Sequence, residues 1–144
     1  MIFHWLKLYG KRAGDATGTV DGVFATAAAA YPAIFEGDSS VEPERQAKFE
    51  YMAPWLAYAL LDKTEAESRR ILEVMVDRLE VGLREGGVGD MKVGVHVRKY
   101  AAALHGRVRR YATLLSAKDW DGLGVALDEH GVDRELVKKL EVRG

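Results

Sequence analysis

Chemistry in this chain has to come from four histidines, a close pair of carboxylates and a glycine cluster, because the sequence holds no cysteine. Without cysteine there is no disulfide framework and no thiolate nucleophile or thiolate metal ligand. The histidines are His4, His96, His105 and His130. His96 and His105 share one apolar-periodic stretch nine residues apart. At about 100° per helical residue they point to opposite sides and cannot ligate one metal. No His-Glu-x-x-His or Glu-x-x-His pattern occurs, so no metal site is expected. Each histidine reads as solvent-facing or as a satisfied side chain.

Asp77 and Glu80 stand three residues apart on one helical face. Paired carboxylates perform acid–base work when their surroundings separate their pKa values. Glu73, Arg78 and Arg84 crowd the same stretch, so the pair reads as part of a solvated charged face. The run Gly86-Gly87-Val88-Gly89-Asp90-Met91-Lys92-Val93-Gly94 invites a phosphate-loop reading but fails it. Val95-His96 follow where Lys-Ser/Thr would be required, and the third glycine of a dinucleotide fingerprint is out of place. A tight turn between helices suits it better. No catalytic residue and no cofactor is expected. An enzyme site assembled from Asp77, Glu80 and His96 is the less favoured alternative.

The elements that position these groups are helical. Apolar residues recur at three- and four-residue spacing almost throughout, and alternating β-branched patterns are missing. The expectation is an all-α fold, a compact bundle of about five or six helices forming one domain over residues 1–144. The first helix covers Thr19 to Ala30 and stops before Tyr31-Pro32, where proline disfavours helix at the preceding residue. Residues Glu36 to Val41 form a loop. The second helix, Pro43 to Asp62, carries Phe49, Met52, Leu56 and Leu60 on one face. Pro54 inside it predicts a kink or a split into two, since an interior proline costs about 3 kcal/mol.

Thr64-Glu65-Ala66-Glu67 is a capping box opening the third helix, which ends at Gly86-Gly87. The fourth follows Asp90 as N-cap, with Val93, Val97, Tyr100, Leu104, Val108, Tyr111 and Leu115 on one stripe. A fifth over Ala117 to Glu129 has Ser116 as its cap, and a sixth over Arg134 to Val142 is capped by Asp133. Residues 1–16 carry Phe3, Trp5, Leu6 and Tyr9 ahead of Lys11-Arg12. They read as a terminal segment that docks or frays, or as a short interfacial anchor. The longest apolar run, Ala25 to Ala30, falls far short of the ~20 residues that cross a bilayer.

Net charge is −1, but it is unevenly spread. Residues 91–118 hold Lys92, Arg98, Lys99, Arg107, Arg109, Arg110 and Lys118 with no acid, while the rest carries 14 basic and 22 acidic residues. An acidic body with one basic helix suits a polar partner or an anionic surface. Lys92, His96, Lys99 and Arg110 fall on one flank of the apolar stripe, and Arg98, His105 and Arg109 on the other. A cation-edged stripe has three readings: a core helix with solvated rims, a protein-docking surface, or contact with anionic lipid or RNA. Few aromatics lie near these cations, so a base-stacking platform is poorly supported.

Leu83-Arg84-Glu85-Gly86-Gly87-Val88-Gly89-Asp90, then Val93-Gly94, Val97-Arg98-Lys99 and Gly106-Arg107, resembles the signature stretch of the ubiquinol–cytochrome c chaperone family. Asp77 and Glu80 match acidic positions just before it, and the firm likeness covers about residues 76–111. Gly86 stands where methionine is usual, Val95-His96 replaces a basic pair, and His105 replaces an aromatic. Trp55 stands where the family often has histidine. The resemblance implies a helical, non-catalytic assembly factor for respiratory complex III that binds newly made cytochrome b or another subunit of the complex. It also implies a compact bacterial type, placed in the cytoplasm or at the inner face of the cytoplasmic membrane.

The contact residues expected on this reading are Lys92, His96, Lys99, Arg107 and Arg110, with Gly89 and Asp90 setting the turn. Basic flanks would draw the protein to anionic lipid or to the ribosome. DNA is not an expected partner. The alternative is a helical adaptor that binds ribosome, RNA or anionic membrane through the basic helix.

Overall fold

The computed structural model describes residues 2–143, with side-chain surroundings described from Asp15 onward. Among the described residues, seven helices follow one another: α1 (Ile2–Ala30), α2 (Pro32–Phe35), α3 (Glu42–Leu60), α4 (Glu65–Glu85), α5 (Asp90–Ser116), α6 (Trp120–Glu129) and α7 (Leu136–Arg143). No strand occurs among the described residues. The fold is the all-α bundle that the periodicity requires, with one more short helix than expected. That extra piece is α2, a single turn nucleated by Pro32 at a first-turn position, where its missing N–H costs nothing.

The core is built on α3. Met52, Ala53, Leu56 and Ala57 are fully buried, and Phe49, Trp55 and Leu60 nearly so. A helix apolar on most of its circumference belongs in the middle of a bundle, and α3 packs on both α5 and α1. α4 lies against α1 and α5, α6 against α5, and α7 against α6. Pro54 does not split α3, which excludes the two-helix alternative of the sequence expectation. Burial of Met52 and Leu56 alone contributes roughly 1.5–3 kcal/mol each, enough to offset the proline. α7 is tied back to α3 where the Tyr58 hydroxyl donates to the Arg143 carbonyl at 2.8 Å. The Arg143 guanidinium also covers the Trp55 ring at 5.2 Å.

Boundaries differ from the sequence reading in physically readable ways. α1 begins at Ile2, not Thr19. Gly10, Gly14 and Gly18 argue against helix by about 1 kcal/mol each, yet they recur every fourth residue, which is helical spacing. The reading of Phe3, Trp5, Leu6 and Tyr9 as docked, frayed or interfacial side chains lies outside the described residues.

The capping box of α4 is present in both directions. Glu67 N–H donates to Thr64 Oγ1 at 3.1 Å, and Thr64 N–H donates to Glu67 Oε1 at 3.0 Å. α4 stops where Gly87 turns left-handed at φ 86°, and Val88 N–H reaches back to the Leu83 carbonyl at 3.0 Å. Gly86 is there for room: a Cβ at that position would stand 3.0 Å from the Ser39 carbonyl oxygen. Ser116 ends α5 instead of capping the next helix. Asp119 takes that role, accepting from Gly122 N–H at 2.9 Å. Asp133 Oδ1 accepts from Glu135 N–H at 3.0 Å, and α7 proper starts at Leu136 rather than Arg134.

Candidate functional site

α5 carries its expected stripe inward. Val93, Tyr100, Leu104, Val108, Tyr111 and Leu115 are buried and Val97 is half-buried. The stripe fixes the helix on the bundle, so its flanks decide what it offers outside.

The glycine bend delivers the helix start. Gly89, not Asp90, is the N-cap, with extended φ −67° and ψ 150°. Its carbonyl accepts from Lys92 N–H at 2.9 Å and from Val93 N–H at 3.1 Å. Asp90 is the first helical residue, where a carboxylate favours the helix dipole. Its side chain pairs with Arg84, which also reaches Glu80 at 3.4 Å. These bonds, to Asp90 first and Glu80 second, hold the Arg84 guanidinium above its ordinary pKa. Asp90 therefore bridges the turn between α4 and α5 with an exposed ion pair.

Just beyond this ion pair, apolar and basic side chains share one surface. Met91 is 96% exposed and Val95 57%. One helical turn apart, they stand together on the face. Lys92, Arg98 and Lys99 are exposed and His96 is half-buried. Among the described residues, no hydrogen bond or ion pair engages any of these four side chains. Met91 and Val95 are the members that sequence reasoning missed. Their signal was available: both are apolar, and both fall off the inward stripe, so neither has a structural reason to be apolar.

Gly89, Asp90, Lys92, His96 and Lys99 thus gather at the start of α5. Arg107 and Arg110 do not join them; Arg107 lies about 12 Å beyond Lys99 along the helix at 1.5 Å per residue. Arg107 is also a correction of role. It turns inward and grips Glu50 of α3 with two bonds, Nε to Oε1 at 2.5 Å and Nη2 to Oε2 at 2.7 Å. Glu50 is 7% exposed. Gln46 Nε2 adds a bond to it at 3.2 Å, and His130 Nδ1 approaches at 4.0 Å. Burial, and then the Arg107 charge, pushes the His130 imidazole below its ordinary pKa. Burial likewise pushes the Tyr111 phenol, beside this pair, well above the usual value. The cause of Arg107's inward course is spacing: it shares the 3–4 face of Tyr100, Leu104 and Tyr111. Arg110 points outward but is engaged by Glu129 at 2.5 Å.

The residues considered for catalysis are dispersed. Asp77 is exposed and shares an open cleft between α4 and α5 with His105 and Leu72, whereas Glu80 faces Arg84. His96 lines neither. Among the described residues, no three His, Asp or Glu side chains are grouped to hold a metal ion, and no helix is long and apolar enough to cross a membrane. No family model, no curated protein and no solved structure matches this chain.

Proposed function

We propose that this protein is a non-catalytic assembly chaperone that holds newly made cytochrome b during assembly of ubiquinol–cytochrome c reductase. The observation that carries the reading is the surface at the start of α5, where exposed Met91 and Val95 sit among Lys92, Arg98 and Lys99. The likeness of residues 76–111 to the ubiquinol–cytochrome c chaperone signature supports the choice of client.

The surface suits that client physically. Cytochrome b is a polytopic apolar protein whose loops and helix ends lie next to anionic headgroups. Two apolar side chains can cover a short greasy segment, while each nearby cation gains about 1 kcal/mol close to an anionic membrane. Lipid contact at the cytoplasmic face then follows from holding the client, and no membrane-spanning helix is needed. The Arg84–Asp90 pair ties the end of α4 to the start of α5 beside this surface.

The test is affinity recovery of the tagged protein from membranes. Wild type recovers cytochrome b, and the Lys92→Glu/Lys99→Glu variant recovers several-fold less while melting at the same temperature, because neither side chain has a partner to lose. Recovery of no cytochrome b, together with normal complex III after deletion of the protein, contradicts the proposal. Salt-sensitive recovery of RNA in its place would assign the face to a nucleic-acid partner.

A further inference from the structure

A second feature lies away from the α5 start, in a cleft of about 250 Å³ between α1, α3 and α4. Phe24, Phe49, Met52, Leu79 and Tyr100 give it apolar walls. Arg45 and Lys48 of α3 line it as well. Both are half-buried, and both are held by neutral oxygens of the loop between α2 and α3. Lys48 Nζ donates to the Gly37 carbonyl and to Ser39 Oγ, each at 2.5 Å, and Arg45 Nη1 donates to the Ser39 carbonyl at 2.9 Å.

Among the described residues, no carboxylate pairs with either cation. Arg45 Nε is sealed from solvent with no acceptor, and an unmet buried donor costs roughly 1–3 kcal/mol. The neighbouring acids are otherwise engaged or few. Asp38 accepts from Ser40 and acts on Lys48 only through space, Arg78 is matched by Asp21 at 2.6 Å, and Glu85 is the one acid among the lining residues.

We propose that this cleft is a binding site for a single-chain fatty carboxylate, its head on Arg45 and Lys48 and its chain among Phe24, Phe49, Met52 and Leu79. Two cations with no carboxylate in ion-pair contact, at the edge of an apolar cleft, are complementary to one anionic head on one apolar tail. The volume lies below the ~300 Å³ at which ordinary small-molecule sites begin, which excludes a two-chain lipid or a docked helix and leaves a narrow chain. Glu85 in the lining favours a singly charged carboxylate over a doubly charged phosphate. The assignment does not rest on the α5 surface or on the identity of any client.

The experiment is calorimetric titration of the full chain with dodecanoate below its micelle concentration, with dodecanol and dodecyl phosphate as matched probes. Dodecanoate binds saturably at one per chain, and dodecanol binds at least about tenfold more weakly for want of the charged hydrogen bonds. Lys48→Met weakens dodecanoate by about the same factor. Gly82→Leu abolishes binding: Gly82 lines the cleft, and a Cβ there meets nothing within 4 Å, so leucine fills the space. That change raises helix propensity by about 1 kcal/mol, so the fold survives, as circular dichroism verifies. The proposal is overturned by the absence of saturable binding, by equal binding of dodecanol, by tighter binding of dodecyl phosphate, or by unchanged binding to Gly82→Leu.

Discussion

Buried charge sets the residue-scale behaviour of this protein. His130 lies against the Glu50–Arg107 pair, with Arg110 and Glu129 also acting on it, and burial lowers its pKa below the ordinary 6.5. An unfolded chain takes up that proton near pH 6.5, while the folded chain resists it to lower pH. The contribution of neutral His130 to stability is therefore complete above about pH 6.5 and is lost as pH falls through the folded value. Urea unfolding at pH 7.5 and pH 5.5 checks this. Wild type loses stability at the lower pH, and His130→Gln loses measurably less. An equal loss in both would place the acid sensitivity elsewhere.

Elements are joined by the same pair. Glu50 on α3 and Arg107 on α5 fasten together the two most extensively packed helices. Removing only Arg107 strands a carboxylate that is 7% exposed. Arg107→Met is expected to cost about 3–5 kcal/mol, and adding Glu50→Met restores most of it, since an apolar pair of similar volume replaces a buried ion pair at little cost. Equilibrium denaturation of the two single variants and the double variant reads the cycle. This pair was legible in principle, because Arg107 falls at core spacing from Leu104 and Tyr111. What the sequence did not disclose is the partner, since Glu50 is 57 residues away and only tertiary packing brings it there.

Other elements divide the same way. The α4 capping box and the α5 stripe follow from local spacing and appear as read. The unbroken α3 depends on competition between local preference and burial, and there burial prevailed, whereas the Asp119 cap is a local signal displaced by three residues from the one read. The site followed this division too. The turn residues and the free cations Lys92 and Lys99 were readable from sequence. The inward Arg107, the Arg110–Glu129 pair and the exposure of Met91 and Val95 required the packed bundle.

For the whole molecule, the outcome is a helical body that pairs Arg107 and Arg110 in the far half of its basic helix, leaves Arg109 exposed there, and leaves the cations of the near half open. Arg107 and Arg110 serve the fold, whereas Lys92, Arg98 and Lys99 have no described role within it. The docking surface is proposed at the glycine bend because there the open cations stand beside exposed Met91 and Val95. A photo-reactive benzoylphenylalanine in place of Val95, with Val142 as an equally apolar and more exposed control position, tests this most directly. Irradiation in cells actively making complex III should give an adduct with cytochrome b from position 95 and none from position 142. No cytochrome b adduct from position 95, or equal adducts from both positions, would contradict the account.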